Sequence, residues 1–212
     1  MSSSPSGRRA DHRLATGLAL RRAAFGLFAE RGYAATSTDD IARAAGVSPR
    51  TFFNYFAAKE ALFFLPEQPL AGVLAASIGA RPAGEDPVRS VTAASIELFR
   101  LVETVIATDR ELGLTSLRLM LNDPDCRPFL ERRRDLAERT MWQSLVSRGV
   151  SPADLSCRAS VAAVVAAGWV ALAAWVECDG SESLSALLAR CLLGLPEPAR
   201  LAAGVLGEAT AS

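Results

Sequence analysis

The chain has 212 residues, half of them hydrophobic and 22% charged, which excludes disorder along its whole length. A chain of this size buries roughly 70% of its unfolded surface and needs no disulfide or metal to hold it. Its 23 basic and 23 acidic residues cancel, and 22 of the basic ones are Arg, with Lys59 the sole Lys. Cys126, Cys157, Cys178 and Cys191 show no CxxC spacing, and His12 is the single His, so no zinc site, disulfide framework or cofactor site is expected. No apolar core follows the opening MSSSPSGRRADHR, so a signal peptide is not expected and the reading is of a cytoplasmic protein.

Residues 1–12 read as a disordered basic tail. From Arg13 the pattern turns helical, with Leu14, Leu18, Phe25 and Phe28 on one face and Gly32 after a basic last turn at Arg31. A short second helix is expected over Thr38–Ala45, with Ser37 as N-cap and Asp40 as the capping-box acid. Gly46 breaks it. A third helix starts with Ser48 as N-cap and Pro49 at the first position, followed by RTFFNYF. Lys59–Leu65 is expected to open a fourth helix, interrupted by Pro66 and Pro69 and resuming over 70–79.

ARPAGED, residues 80–86, reads as a linker rich in Pro and Gly. Long helices are expected over 87–108, 111–122 and 129–148, with a loop at 123–128. An apolar helix follows over about 153–178, and a Leu-striped one over 183–194. The domain reading is therefore 13–65, an interrupted helix and linker over 66–85, a larger domain over 86–197, and a tail over 198–212. No strand-like alternation of useful length appears, so the fold class is all-α.

Residues 159–176, ASVAAVVAAGWVALAAWV, approach transmembrane length. Half of them are Ala or Gly, and no polybasic flank sets an orientation, so a helix buried in the protein is favoured over a membrane span.

The balanced total charge hides a split. Residues 1–66 carry nine basic residues against five acidic ones, a net of +4, and the remainder carries −4. A small basic domain joined to an acidic one suits a polyanionic partner for the first alone. Within it, TSTDDIARAAGVSPRTFFNYF forms two short helices about a Gly turn, a helix-turn-helix pattern. Ile41, Ala42 and Ala45 can face the core, and Phe52 and Phe56 can anchor the second helix. Arg50, Thr51, Phe53, Asn54 and Tyr55 are then left outward or at the rim, a face suited to a DNA groove. Composition alone leaves an ordinary αα-hairpin with a solvated polar face equally open.

The stretch AAFGLFAERGYAATSTDDIARAAGVSPRTFFNYFAAKEAL resembles the DNA-binding domain of TetR-type transcriptional regulators. The likeness spans about Arg13–Leu65. The rest of the chain is similar only in plan, as a helical ligand-binding and dimerisation domain. The resemblance implies a homodimer on double-stranded DNA with dyad symmetry, acting by default as a repressor. It implies a phosphate contact at Thr38, base and backbone contacts at Ser48, Arg50 and Thr51, a backbone contact at Tyr55 and a phosphate grip at Lys59. Phe53 departs from the commoner Tyr, which removes a hydroxyl and leaves thymine-methyl or sugar packing. The Pro66–Pro69 interruption departs from the usual long fourth helix that relays ligand binding.

Two further expectations concern the larger domain. The apolar helix and the Leu stripe each need cover, so Val165, Gly168, Leu172, Leu184, Leu188 and Leu192 are expected at a two-fold interface. Phe99, Met120, Trp142 and Trp169 are candidates to line a pocket for a small apolar effector, although residues of this kind at helical spacing also serve as plain core. Arg8, Arg9 and Arg13 read either as an arm reaching DNA backbone or as a solvated tail. Arg132–Arg134, interleaved with Glu131, Asp135 and Glu138, read as a solvated face. Cys126 reads as a plain thiol. No catalytic constellation appears, so an enzyme is not expected. The competing function is a helical adaptor whose basic N-terminal domain binds an acidic protein.

Overall fold

A computed structural model of the chain describes residues 5–63 and 70–194, with side chains from His12 onward. The Pro66–Pro69 interruption, the tail beyond 194 and the side chains of Arg8 and Arg9 lie outside the described residues. Among those described, the protein is built from helices alone. They are α1 (Pro5–Arg31), α2 (Thr38–Ala44), α3 (Pro49–Tyr55), a 3₁₀ helix (Lys59–Phe63), α4 (Leu70–Gly79), α5 (Pro87–Ala107), α6 (Arg110–Asn122), α7 (Arg127–Ser147), α8 (Leu155–Glu177) and α9 (Leu184–Leu193).

Two elements differ from the sequence expectation. The first is α1, which begins at Pro5 instead of Arg13. Apolar periodicity starts only at Leu14, but a helix can run ahead of its buried face, and Pro in a first turn lacks only an N–H that has no helical partner there. The second is the stretch from Lys59, which forms a 3₁₀ helix and not the opening of an α-helix. That tighter winding accompanies the burial of two consecutive side chains, Leu62 and Phe63.

The described residues pack as two compact units that interleave along the chain: 5–63 with Val105–Asp135, and Leu70–Thr104 with 136–194. The first unit includes α6 and the start of α7, which a boundary near residue 65 leaves out. Its core is aromatic. The Phe63 ring lies 5.1 Å from Phe25, 5.8 Å from Phe28 and 5.2 Å from Phe129. Tyr33 closes the group, 5.1 Å from Phe28 and 5.2 Å from Phe129. Cys126 is fully buried in this unit, and burial pushes its thiol up to about 12, which makes it a poor nucleophile. Arg133 also departs from the solvated reading: burial draws its guanidinium down to about 10.

The second unit has an aliphatic core. Leu74 and Ile78 of α4, Val91 and Leu98 of α5, Met141 and Leu145 of α7, and Val161 and Val164 of α8 form one buried cluster. The Pro/Gly-rich stretch expected as a linker is instead a bound turn. Arg81 Nε donates to Glu85 at 2.7 Å, and Arg148 donates to the carbonyls of Arg81 and Pro82 at 2.9 and 2.7 Å. The hydrogen bond from Arg81 is the main reason that Glu85 is held down near 2.

α8 has the length and apolarity of a membrane span, but it also packs closely with α9. Only 39% of its apolar window is buried within the subunit. The expected interface residues need correction here. Leu184 and Leu188 are fully buried in the chain's own core, and Val165 and Gly168 are buried too. The Leu stripe of α9 faces inward because α8 offers it an apolar partner within the same subunit. Leu172 and Leu192 remain half-buried. The large apolar side chains left most exposed on these helices are Leu155 and Val170 on α8, at 75% and 57%, and Leu193 on α9, at 87%.

Candidate nucleic-acid interface

α2 and α3 have seven residues each, too short to be stable alone in water. Each is fixed by a cap and by buried side chains. Ser37 Oγ accepts from the backbone N–H of Asp40 at 3.1 Å, and the Asp40 carboxylate accepts from Ser37 N–H at 3.2 Å, a complete capping box. The hydrogen bonds from Ser37, with Arg31 and Arg43 nearby, hold the Asp40 carboxyl below the usual range. The turn uses Gly46 at φ +69°, a left-handed conformation that a side chain would strain. Val47 N–H then donates back to the carbonyl of Ala42 at 2.9 Å. Ile41 and Ala42 are buried, while Ala45 is half-buried.

Ser48 caps α3. Its Oγ accepts from Thr51 N–H at 3.1 Å and lies 2.8 Å from Thr51 Oγ1. Pro49 occupies the first turn. Phe52 and Phe56 are buried and fix the inner face. On the other side Ser48, Arg50 and Asn54 are exposed, Phe53 leaves 55% of its surface in solvent, and Thr51 and Tyr55 are half-buried. Thr38 is half-buried at the start of α2. The eight residues singled out from sequence therefore fall into two groups. Ser48, Arg50, Thr51, Phe53, Asn54 and Tyr55 are carried by α3 or its cap, and Thr38 and Lys59 stand at the starts of neighbouring elements.

The surroundings of Lys59 change how its role is understood. Its Nζ donates to the carbonyls of Tyr33 at 2.6 Å and Thr36 at 2.8 Å, and lies 3.9 Å from the centre of the Tyr33 ring. Two of its three N–H donors thus hold the turn between α1 and α2, and burial lowers its pKa. Sequence reasoning missed Arg21, which is nearly buried and donates from Nε to the Leu62 carbonyl at 3.0 Å, tying the 3₁₀ helix to α1. It also missed Arg22, whose guanidinium lies 2.6 Å from Asp109, the N-cap of α6. The advance signal was an Arg at position 21 falling one residue after the buried Leu20 and four before Phe25, within the apolar register of α1.

The four pocket candidates are not gathered in this unit. A groove of about 370 Å³ between α1 and α6 is lined by Arg22, Phe25, Ala29, Asp109, Leu112 and Thr115, and by none of those four. Met120 is buried in the first unit. Phe99 and Trp142 pack against the core of the second unit. Phe99 lies so close to Gly168 that a Cβ there would stand 3.0 Å from its ring, and Arg158 covers the Trp142 ring at 5.8 Å. Trp169 is half-buried on α8.

An all-helical protein presenting a capped, core-anchored helix-turn-helix with an Arg/Asn/aromatic outer face is a DNA-binding protein of the transcription-regulator class. Residues 20–64 match the model for bacterial regulatory proteins of the tetR family. The chain is 31% identical over 160 residues to the HTH-type transcriptional regulator TcmR of Streptomyces glaucescens, covering 74% of this chain and 71% of that protein. Its fold is similar to the fatty acid degradation regulator FadR of Bacillus halodurans, with a TM-score of 0.55 and 21% identity over 84% of this chain and 98% of the other. It is also similar to NalD, the secondary repressor of the MexAB-OprM multidrug efflux pump of Pseudomonas aeruginosa, with a TM-score of 0.53 and 21% identity over 87% and 98% of the two chains. The chain belongs to the TetR family of transcriptional regulators.

The geometry of Lys59 gives a prediction. Lys59→Met removes two charge-assisted hydrogen bonds at about 1.5–3 kcal/mol each. Tm should fall by several degrees or more. DNA affinity should fall for all sequences alike because α2 and α3 are less well held. The slope of log affinity against log salt should stay unchanged, as measured by fluorescence anisotropy from 50 to 200 mM salt. A slope flatter by about one unit per subunit would instead make Lys59 a phosphate contact.

Proposed function

We propose that the chain acts as a homodimer that binds an operator with dyad symmetry, represses transcription there, and releases it when a small, largely apolar molecule binds. The observation that carries the DNA part is the outer face of α3. Arg50, Phe53 and Asn54 are exposed on a helix whose other side is locked by Phe52 and Phe56. A face of Arg, Asn and a half-exposed Phe matches the mixed polar and methyl edges of a major groove. An adaptor for an acidic protein would need the cations but not this helix. The same reading makes the protein cytoplasmic, where its DNA is.

Arg50 is the residue assigned to guanine O6 and N7. Selection from a random duplex pool should return a palindrome with half-sites about 34 Å apart. On that duplex, Arg50→Ala should cost about 1–3 kcal/mol and relax the preference at one base pair per half-site. Equal losses on operator and random DNA would reassign Arg50 to a phosphate. Failure to bind any duplex at low salt would favour the adaptor.

The dimer reading is supported by the apolar surface of α8 and α9 that the subunit leaves uncovered. Pairing α8 and α9 with their symmetry mates would cover Val170, Leu193 and the half-buried Leu172 and Leu192. Val170→Glu and Leu193→Glu should shift light scattering from dimer towards monomer with the helical signal kept. Leu188→Glu should instead unfold the subunit, because Leu188 is inside it. A wild-type monomer at micromolar concentration would end this reading.

The effector reading rests on the second unit, whose core joins aliphatic side chains of α4, α5, α7 and α8 with Phe99 and Trp142 packed against them. A ligand entering such a core is apolar or aromatic, with few polar anchors. It must favour the dimer conformation in which the two recognition helices no longer match the half-site spacing. Apolar compounds that raise Tm should also lower operator affinity. A set of binders that stabilise the protein and leave DNA affinity intact would refute the coupling.

A further inference from the structure

We propose that Arg13, seated on the ring of Tyr55, is a DNA-backbone contact that flanks the recognition helix in each subunit. The proposal rests on the reading that α3 meets DNA, and it decides for Arg13 between the backbone-reaching arm and the solvated tail that the sequence left open.

The inference comes from accounting for charge. Between His12 and Phe63 the chain has seven cationic side chains. Five have partners within the protein, although Arg22 and Arg43 still expose 64% and 77% of their side chains. Arg21 donates to the Leu62 carbonyl, and Arg22 pairs with Asp109. Arg31 and Arg43 share Asp40, at 3.0 and 3.2 Å. Lys59 is held by two carbonyls. Arg13 and Arg50 remain, both exposed and neither paired with a carboxylate among the described residues. The two cations left over both belong to the surroundings of α3. Arg50 is its second residue, and the Arg13 guanidinium lies 5.7 Å from the centre of the Tyr55 ring, at the other end of that helix.

The packing explains why Arg13 stands there. One turn along α1, Gly17 faces Tyr55 so closely that a Cβ would lie 3.8 Å from the ring. The 13/17 face of α1 therefore abuts the C-terminal end of α3. A guanidinium over an aromatic face keeps its N–H groups free for another acceptor, and loses less side-chain freedom when it binds one. A planar fork of this kind fits a phosphate, which accepts two parallel hydrogen bonds. Arg13 would grip the backbone beside the C-terminal end of α3, while Arg50 near its N-terminal end reads a base.

The test compares wild-type protein with Arg13→Ala, Arg13→Lys and Tyr55→Leu on a selected operator and on a random duplex, each over 50 to 200 mM salt. Arg13→Ala should weaken both duplexes by the same factor and flatten the salt slope by about one unit per subunit. Arg13→Lys should restore the slope with weaker binding, and Tyr55→Leu should keep the slope while lowering affinity. Arg13 is exposed, so the effects of the two Arg13 variants should come with an unchanged Tm. Unchanged affinity and slope in Arg13→Ala, with wild-type binding intact, would overturn the proposal and leave the α3 reading standing. A loss confined to the operator would overturn it by making Arg13 a base reader. Absence of wild-type binding to either duplex would overturn the α3 reading, and this inference with it.

Discussion

A seven-residue helix cannot keep its shape in water, and the surface proposed to read DNA is such a helix. The first unit is organised around that constraint. Phe52 and Phe56 fix the inner face of α3, Ser48 satisfies its first turn, and Gly46 sets the angle at which it leaves α2. One layer further in, the rings of Phe25, Phe28, Tyr33, Phe63 and Phe129 form a rigid floor. Lys59 joins the two layers, because its ammonium covers the Tyr33 ring and holds the carbonyls at both ends of the turn that leads into α2. The cost of burying this one Lys is offset by hydrogen bonds that no longer side chain in the region supplies.

The same unit shows how a protein with nearly as many acids as bases presents a cationic face. Most Arg side chains near the helix-turn-helix are internal ties. Arg21 holds the 3₁₀ helix, Arg22 holds the cap of α6, and Arg31 and Arg43 converge on Asp40. Pairing with Asp109 and Asp40 offsets part of the charge of Arg22, Arg31 and Arg43, whereas Arg13 and Arg50 have no carboxylate partner among the described residues. Counting basic residues in the sequence therefore overstates how many are available to a partner.

Local signals made most of the fold legible. Caps, Gly breaks and apolar periodicity placed α2, α3, α5, α6, α7, α8 and α9 within about two residues. They failed at Pro5–Arg13, where the helix runs ahead of the apolar periodicity, and at Lys59–Phe63, where a 3₁₀ helix accompanies the burial of Leu62 and Phe63. They also failed at 81–85, because Pro and Gly mark a turn without revealing that Arg148, far along the chain, binds it. The outer face of α3 was readable because a helical register separates Phe52 and Phe56 from Arg50, Phe53 and Asn54. Which apolar face of α9 turns inward was not readable, since a Leu stripe looks the same whether its cover comes from its own subunit or from another.

The central claim is that the face of α3, held by the first unit, is the surface that meets DNA. Amide hydrogen exchange along the whole chain, recorded with and without a selected operator duplex, tests it most directly. The account predicts that added protection centres on residues 38–56 and on the turn of α1 around Arg13, with α6 and the start of α7 unchanged. Tight binding without added protection at 48–56, or with protection centred on 110–135, would contradict it.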